Sequence, residues 1–263
     1  MAIRNVFVSQ KIKIFKLGDF VKMRDELDRA LICIPIVAKD DDEIISQAKK
    51  IVEKNKSARI DIAEFRADYY SGLNNYGMLE NLLSRIHIIL NNAGIRLLFT
   101  IRSHEEGGEK LSFTSPTVNE INLYVAQNEL SDYVDVEHFS EKDSANRVIT
   151  AAKEHNVKII LSSHDFEKTP SLNEMVERYK DMQKRQADII KLAVMPHKEQ
   201  DVDNLLEAVS LTYQSYPDTH VIGISMGELG RRTRIEGYKY GSCLTFAVID
   251  NASAPGQIKV DDL

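Results

Sequence analysis

A lysine stands inside the run Ile189-Ile190-Lys191-Leu192-Ala193-Val194-Met195, in which every other residue is apolar. An ammonium group seldom enters such a run without a partner or a task, because leaving water is costly. Desolvation lowers the pKa of a buried lysine and leaves part of it as a neutral amine, a nucleophile toward carbonyl carbon. The chemistry this suggests is imine formation, which requires a proton-transfer group nearby and anchors for the substrate. Of seven histidines, His164 alone closes an apolar run (158–164) on the side expected to face Lys191, and imidazole exchanges protons near neutral pH. Taken singly, a histidine at a strand end is more often structural. For the lysine, pairing with an interior carboxylate, or snorkelling out at a frayed strand end, is the lesser alternative. The convergence of the two favours chemistry.

Glu64, Arg66, Arg102, Glu106, Asp135 and Glu137 fall at or near the ends of other apolar runs. Each alone reads as a member of a structural ion network. Together they suit a site where arginines hold an anion and carboxylates orient a histidine or bind hydroxyls. Gly107-Gly108 marks a tight loop beside them. The segment GISMGELGRRTRIEGY (223–238) combines glycines with three arginines. It suits a phosphate cradle or an arginine fork on a carboxylate equally well. The turn ASAPGQI (252–258) offers Ser253 and Gln257 as hydroxyl ligands, although turn chemistry also explains them. There is no histidine pair at helical spacing, no paired cysteines and no dinucleotide or Walker glycine motif. No metal or cofactor is therefore expected, and side chains must supply the chemistry.

These groups need a scaffold that brings them together. Eight β-rich runs recur, at 31–37, 59–65, 96–102, 133–139, 158–164, 189–195, 220–226 and 243–249. Their near-continuous apolar character is that of parallel strands covered on both faces. Helical patterns lie between, including 41–55, 144–156 (with Ser144 as its expected N-cap) and 198–213. Eight strand–helix units without a Pro/Gly-rich linker predict an α/β fold, a single (β/α)8 TIM barrel over 1–263. A doubly wound open sheet ranks second, since no glycine fingerprint opens the first helix. Residues 1–30 precede the first unit, where a hairpin or cap over one end is expected. Strand alternation turns Lys191, Ala193 and Met195 to the interior and Ile190, Leu192 and Val194 to the helices. The same rule turns Glu64 with Arg66, Thr100 with Arg102, Asp135 with Glu137, and Ser162 with His164 to one interior. Barrel enzymes place their chemistry at the strand C-terminal end.

With 263 residues, 43% hydrophobic and 28% charged, the chain has the balance of a globular protein. A net charge of −6 argues against a nucleic-acid partner. No apolar stretch approaches the roughly 20 residues that cross a bilayer, and the polar start MAIRNVFVSQ does not resemble a secretory leader. A cytoplasmic location follows as an expectation. Cys33 and Cys243 both fall in apolar runs and read as buried free thiols.

The motifs EFRAD (64–68), FTIRSHEEGG (99–108), SSHDFEKTP (162–170), ADIIKLAVMP (187–196), ISMGELGRRTRIEG (224–237) and FAVIDNASAPGQI (246–258), in this order, resemble the type I 3-dehydroquinate dehydratases of the shikimate pathway. The resemblance runs from about residue 31 to the end. It implies a barrel lyase without metal or organic cofactor, a homodimer in many members, that eliminates water from 3-dehydroquinate through a lysine imine. It implies Lys191 as the imine former, His164 as acid and base, Glu106 as its support, and Arg234 as the grip on the substrate carboxylate. Glu64, Arg66, Arg102, Ser253 and Gln257 match positions that bind ring hydroxyls or shape the pocket, and Met226 and Phe246 match its apolar walls. Phe65, Ile224 and Pro35 depart from residues common in relatives, which touches details of the pocket wall only. Two other readings stay open: an imine-forming aldolase or transaldolase acting on a sugar phosphate, and a non-catalytic barrel that binds anionic metabolites.

Overall fold

The computed structural model describes residues 29–111, 115–250 and 256–263. Eight principal strands alternate with helices: β1 Leu31–Ile36, α1 Asp41–Lys54, β2 Ile62–Arg66, α2 Tyr76–Asn91, β3 Arg96–Thr100, α3 Ser115–Gln127, β4 Tyr133–Glu137 and α4 Lys142–Glu154. They continue as β5 Lys158–Asp165, α5 Leu172–Lys184, β6 Ile189–Val194, α6 Glu199–Ser215, β7 His220–Ser225, α7 Arg231–Glu236 and β8 Leu244–Val248, with a two-residue β9 at Ile258–Lys259. All pairings are parallel, in the order β7-β6-β5-β4-β3-β2-β1-β8-β9. Between β7 and β8 the ring closes through a parallel bridge from Val221 to Ser242, where the Cys243 amide donates to the Val221 carbonyl at 2.8 Å. This is the (β/α)8 barrel, not the open sheet.

Local chemistry explains the elements. In α1, Ile44, Ile45, Ala48 and Ile51 recur at helical spacing and are buried, while the Asp40 side chain caps the Glu43 amide. Helix α5 begins with a full capping box, Ser171 and Glu174 each serving the other's backbone amide. Alternation along the strands divides the core into two layers. Ala63, Phe65, Leu97, Phe99, Ile190, Leu192 and Val194 join the layer between strands and helices. Ile62, Leu98, Ile160, Ile189, Ala193 and Ile222 fill the barrel interior.

Two of the boundaries that differ from expectation have a clear local cause. Ser144 lies inside α4; the carboxylate of Glu141 caps it instead, accepting from the Asp143 and Ser144 amides. A longer acidic side chain reaches the first-turn amides from one turn earlier. Strand β2 starts at Ile62 because the Asn55 side chain takes the Ile60 amide and the Asp61 carboxylate takes the Ile32 amide. It ends at Arg66, one residue beyond the expected run. Apart from Arg29 and Ala30, the expected cap over residues 1–30 lies outside the described residues. Among the described residues no helix is long and apolar enough to cross a membrane. Both cysteines are buried free thiols.

Candidate active site

Because β6 is apolar on both faces, strand pairing with β5 and β7 places Lys191 between Ser162 and Ile222. Its side chain is buried, and Nζ rests 4.2 Å from the centroid of the Phe246 ring on β8. Strand β5 carries Ser162 and His164 on the same interior, and β2 carries Glu64, whose Oε1 accepts from Thr100 Oγ1 of β3 at 3.0 Å.

Beyond β3 the chain folds back sharply. Ser103 Oγ accepts from the Glu106 amide, and Gly107 adopts a left-handed conformation (φ 86°) that favours glycine. A side chain at Gly108 would meet the Arg102 carbonyl oxygen at 2.0 Å, so only glycine lets the loop return so closely. The result is that Glu106 Oε2 accepts from the His164 amide at 3.1 Å and sits 2.9 Å from its Nδ1. An oxygen that already accepts from an amide favours the tautomer in which Nδ1–H also donates to it. That leaves Nε2 with a free lone pair.

Arg102 ties the remaining acids together. Its Nη2 donates to Asp135 Oδ1 at 2.8 Å, and its Nη1 to Glu137 Oε1 and Ser162 Oγ, each at 3.0 Å. Arg66 is forked onto Asp68 at 2.8 and 2.9 Å. Arg234, on α7, is buried and donates to the Phe246 carbonyl at 3.4 Å. Gly230, at the start of that helix, shows why glycine recurs here: a Cβ would meet the Ser225 carbonyl oxygen at 2.0 Å.

Burial sets the protonation states. It lowers the Lys191 ammonium below its ordinary value, opposed by the charges of Asp135 and Glu64. His164 is held well below the usual imidazole range by burial, then by the charges of Arg102, Lys191 and Arg66, so it is a neutral base at pH 7. Burial pushes Glu106 up to about 8, against the pull of Arg102 and with the help of Glu137 and Asp135. Burial works against the Arg102 charge too, but Asp135, Glu137 and Glu106 outweigh it and keep the guanidinium charged. Desolvation brings Arg234 down to about 10, which leaves it cationic at neutral pH.

A cavity of about 200 Å³ joins these groups, lined by Glu64, Arg66, Arg102, Glu106, His164, Lys191, Met226, Arg234, Phe246 and Gln257. Of the candidate site residues, Asp135 and Glu137 do not line the cavity but bind Arg102 from beside it, and Ser253 lies outside the described residues; the others meet in this one place. A larger open groove of about 350 Å³ beside Lys39, Tyr70 and Met78 holds none of them. Sequence reasoning missed Phe166, which also lines the cavity and stacks near His164 with ring centroids 6.5 Å apart. It also missed Asp68, which besides Arg66 accepts from the amides of Arg102 and Glu109. Both lie within the motifs SSHDFEKTP and EFRAD, the only signal that could have pointed to them.

Fold and pocket together define a (β/α)8-barrel enzyme with an amine and an imidazole opening into one anion-ready cavity. The family model of type I 3-dehydroquinase matches residues 32–263. A 3-dehydroquinate dehydratase of Clostridioides difficile (strain 630) is 38% identical over 235 residues, covering 89% of each chain. One from Listeria welshimeri is 38% identical over 232 residues, 88% of this chain and 89% of the relative. A crystal structure of type I 3-dehydroquinate dehydratase from Clostridium difficile with covalently modified comenic acid superposes with TM-score 0.82 at 37% identity, covering 89% of both chains. The chain belongs to the type I 3-dehydroquinase family.

Proposed function

We propose that the chain converts 3-dehydroquinate to 3-dehydroshikimate and water, a hydro-lyase step of the shikimate pathway, with Lys191 and His164 as its reacting groups. The Lys191 amine adds to the C3 carbonyl and expels water, leaving an iminium. The iminium draws electrons from the neighbouring carbon, so His164 Nε2 removes a C2 proton and an enamine forms. The enamine pair then forms the C1–C2 double bond as the C1 hydroxyl leaves with the proton that His164 returns. Water finally hydrolyses the iminium, freeing product and amine. Glu106 holds the imidazole in the required tautomer. Arg234 forks onto the substrate carboxylate and fixes which hydrogen faces His164. Glu64, Arg66, Arg102, Ser253 and Gln257 bind ring hydroxyls or shape the pocket, and Met226 and Phe246 wall it. We further infer one catalytic domain over 1–263, working as a cytoplasmic homodimer without metal or organic cofactor.

The observation that carries this reading is a buried amine sharing a cavity with a histidine whose Nδ1 is tied to a carboxylate at 2.9 Å. The sugar-phosphate alternative leaned on the glycines at 227–230, and Gly230 is accounted for by its contact with the Ser225 carbonyl. The test is borohydride reduction in the presence of 3-dehydroquinate, followed by peptide mass mapping. An adduct on Lys191 is expected, lost in Lys191→Ala along with turnover. An unmodified Lys191 in the native protein would sink the imine and favour a barrel that only binds.

A further inference from the structure

The carboxylate of Asp135 has unequal oxygens. Oδ1 accepts from Arg102 Nη2 at 2.8 Å and from Ser162 Oγ at 2.7 Å. Oδ2 is buried, and no donor among the described residues reaches it. A buried acceptor left without a donor is costly, and its persistence calls for a use. Asp135 lies on β4, Ser162 on β5 directly bonded to it, and Lys191 on β6 in register with Ser162. Acid, hydroxyl and amine thus occupy inward positions on three successive strands. Lys191 has no ion-pair partner among the described residues, its Nζ resting over the Phe246 ring.

We propose, building on the imine reading, that Asp135 is a positioning residue whose uncommitted Oδ2 supplies the counter-charge for the cation at Lys191, first as ammonium and then as iminium. An iminium withdraws electrons only while it stays cationic, and Arg66, Arg102 and Arg234 around the same cavity oppose a further positive charge. A carboxylate in direct contact would trap the amine as an inert ion pair. One held back by Arg102 and Ser162 offsets the charge and leaves the nitrogen free to attack. Asp135 is also the strongest of the charges that favour protonated Lys191, ahead of Glu64. The charged and titratable groups sharing this interior among the described residues include Cys33 (β1), Glu64 and Arg66 (β2), Arg102 and Glu106 (after β3), Tyr133 and Glu137 (β4), His164 (β5), His220 (β7), Arg234 (α7) and Cys243 (before β8).

The experiment measures carbamoylation of Lys191 by cyanate across about pH 6 to 11, without substrate, read by peptide mass mapping. In Asp135→Asn the labelling curve should move to lower pH by about one unit, roughly a tenfold gain in reactive amine at a fixed pH on its acid side. Glu137→Gln removes another acid from the same arginine and should leave the curve in place. A curve that stays put in folded Asp135→Asn, or moves equally in Glu137→Gln, overturns the proposal. Should Asp135→Asn not fold, Ser162→Ala keeps the charge but takes a donor from Oδ1, and the curve should move upward. No movement, or a downward one, overturns the proposal equally. Failure of the imine reading shows separately, as native protein that gives no borohydride adduct, while the cyanate curve still reports on Asp135.

Discussion

His164 and Glu106 share one oxygen, and the acid side of that bond titrates near pH 8. As pH rises through that value the carboxylate ionises, Nδ1–H···O strengthens, and the imidazole becomes a better base at Nε2. Native kcat should therefore rise through an inflection near pH 8. Glu106→Gln should remove that inflection and lower kcat by about 10²-fold, the usual scale for a disturbed proton-transfer group. Stability supplies a second check. The folded value lies above the ordinary 4.5, so the stability associated with Glu106 is complete below that pH and is lost as pH climbs through about 8. Gln does not titrate, so the variant's melting temperature should gain on the native one between about pH 5 and pH 9, by about 2–4 °C per kcal/mol recovered. A constant difference across that range would show that Glu106 is not held neutral. At this scale Lys191 and His164 were legible in the sequence because a charged or titratable residue interrupts an apolar run. Asp68 was not, because its part depends on amides at Arg102 and Glu109, brought to it only when β3 pairs beside β2 and the chain turns back.

Elements differ in what they contribute, and two helices separate stability from chemistry. Helix α5 carries no cavity residue, and its first turn is held by the Ser171–Glu174 capping box. Ser171→Ala should cost about 1 kcal/mol of folding stability and leave kcat unchanged. Helix α7 has only six residues and carries Arg234, so its placement rests on its start. Gly230→Ala sets a methyl group 2.0 Å from the Ser225 carbonyl oxygen, and the backbone must shift. Displacing Arg234 should raise KM about tenfold or more with a smaller effect on kcat, as expected where a grip on the substrate is loosened. Steady-state kinetics on both variants, beside chemical denaturation, distinguishes the two. Equal KM for Gly230→Ala and native protein would mean that Arg234 does not depend on that contact. The sequence made these glycines visible but left a phosphate cradle and an arginine fork on a carboxylate undecided, because close backbone approach is a property of β7 and α7 together. Helix starts were similarly shifted where a capping acid such as Glu141 stood ahead of the more familiar serine.

At the scale of the whole molecule, eight β/α units were readable from periodicity, whereas ring closure was not. Among the described residues it depends on the bridge from Val221 to Ser242, too brief to leave a pattern. Charge tells a parallel story. The protein carries a net charge of −6 yet is proposed to take an anionic substrate. Its cations in the cavity are interleaved with acids, and Arg234 is buried where mobile ions screen it poorly. The long-range field thus repels the substrate, and only the final contact attracts it. Salt should weaken the repulsion more than the grip, since the Debye length falls from about 30 Å at 0.01 M to about 8 Å at 0.15 M. Over that range kcat/KM should stay level or rise, by less than about threefold, the reverse of an enzyme that steers its substrate electrostatically. Measured at constant pH with a salt that does not compete for the carboxylate site, a steep fall would show that exposed cations, not buried Arg234, capture the substrate.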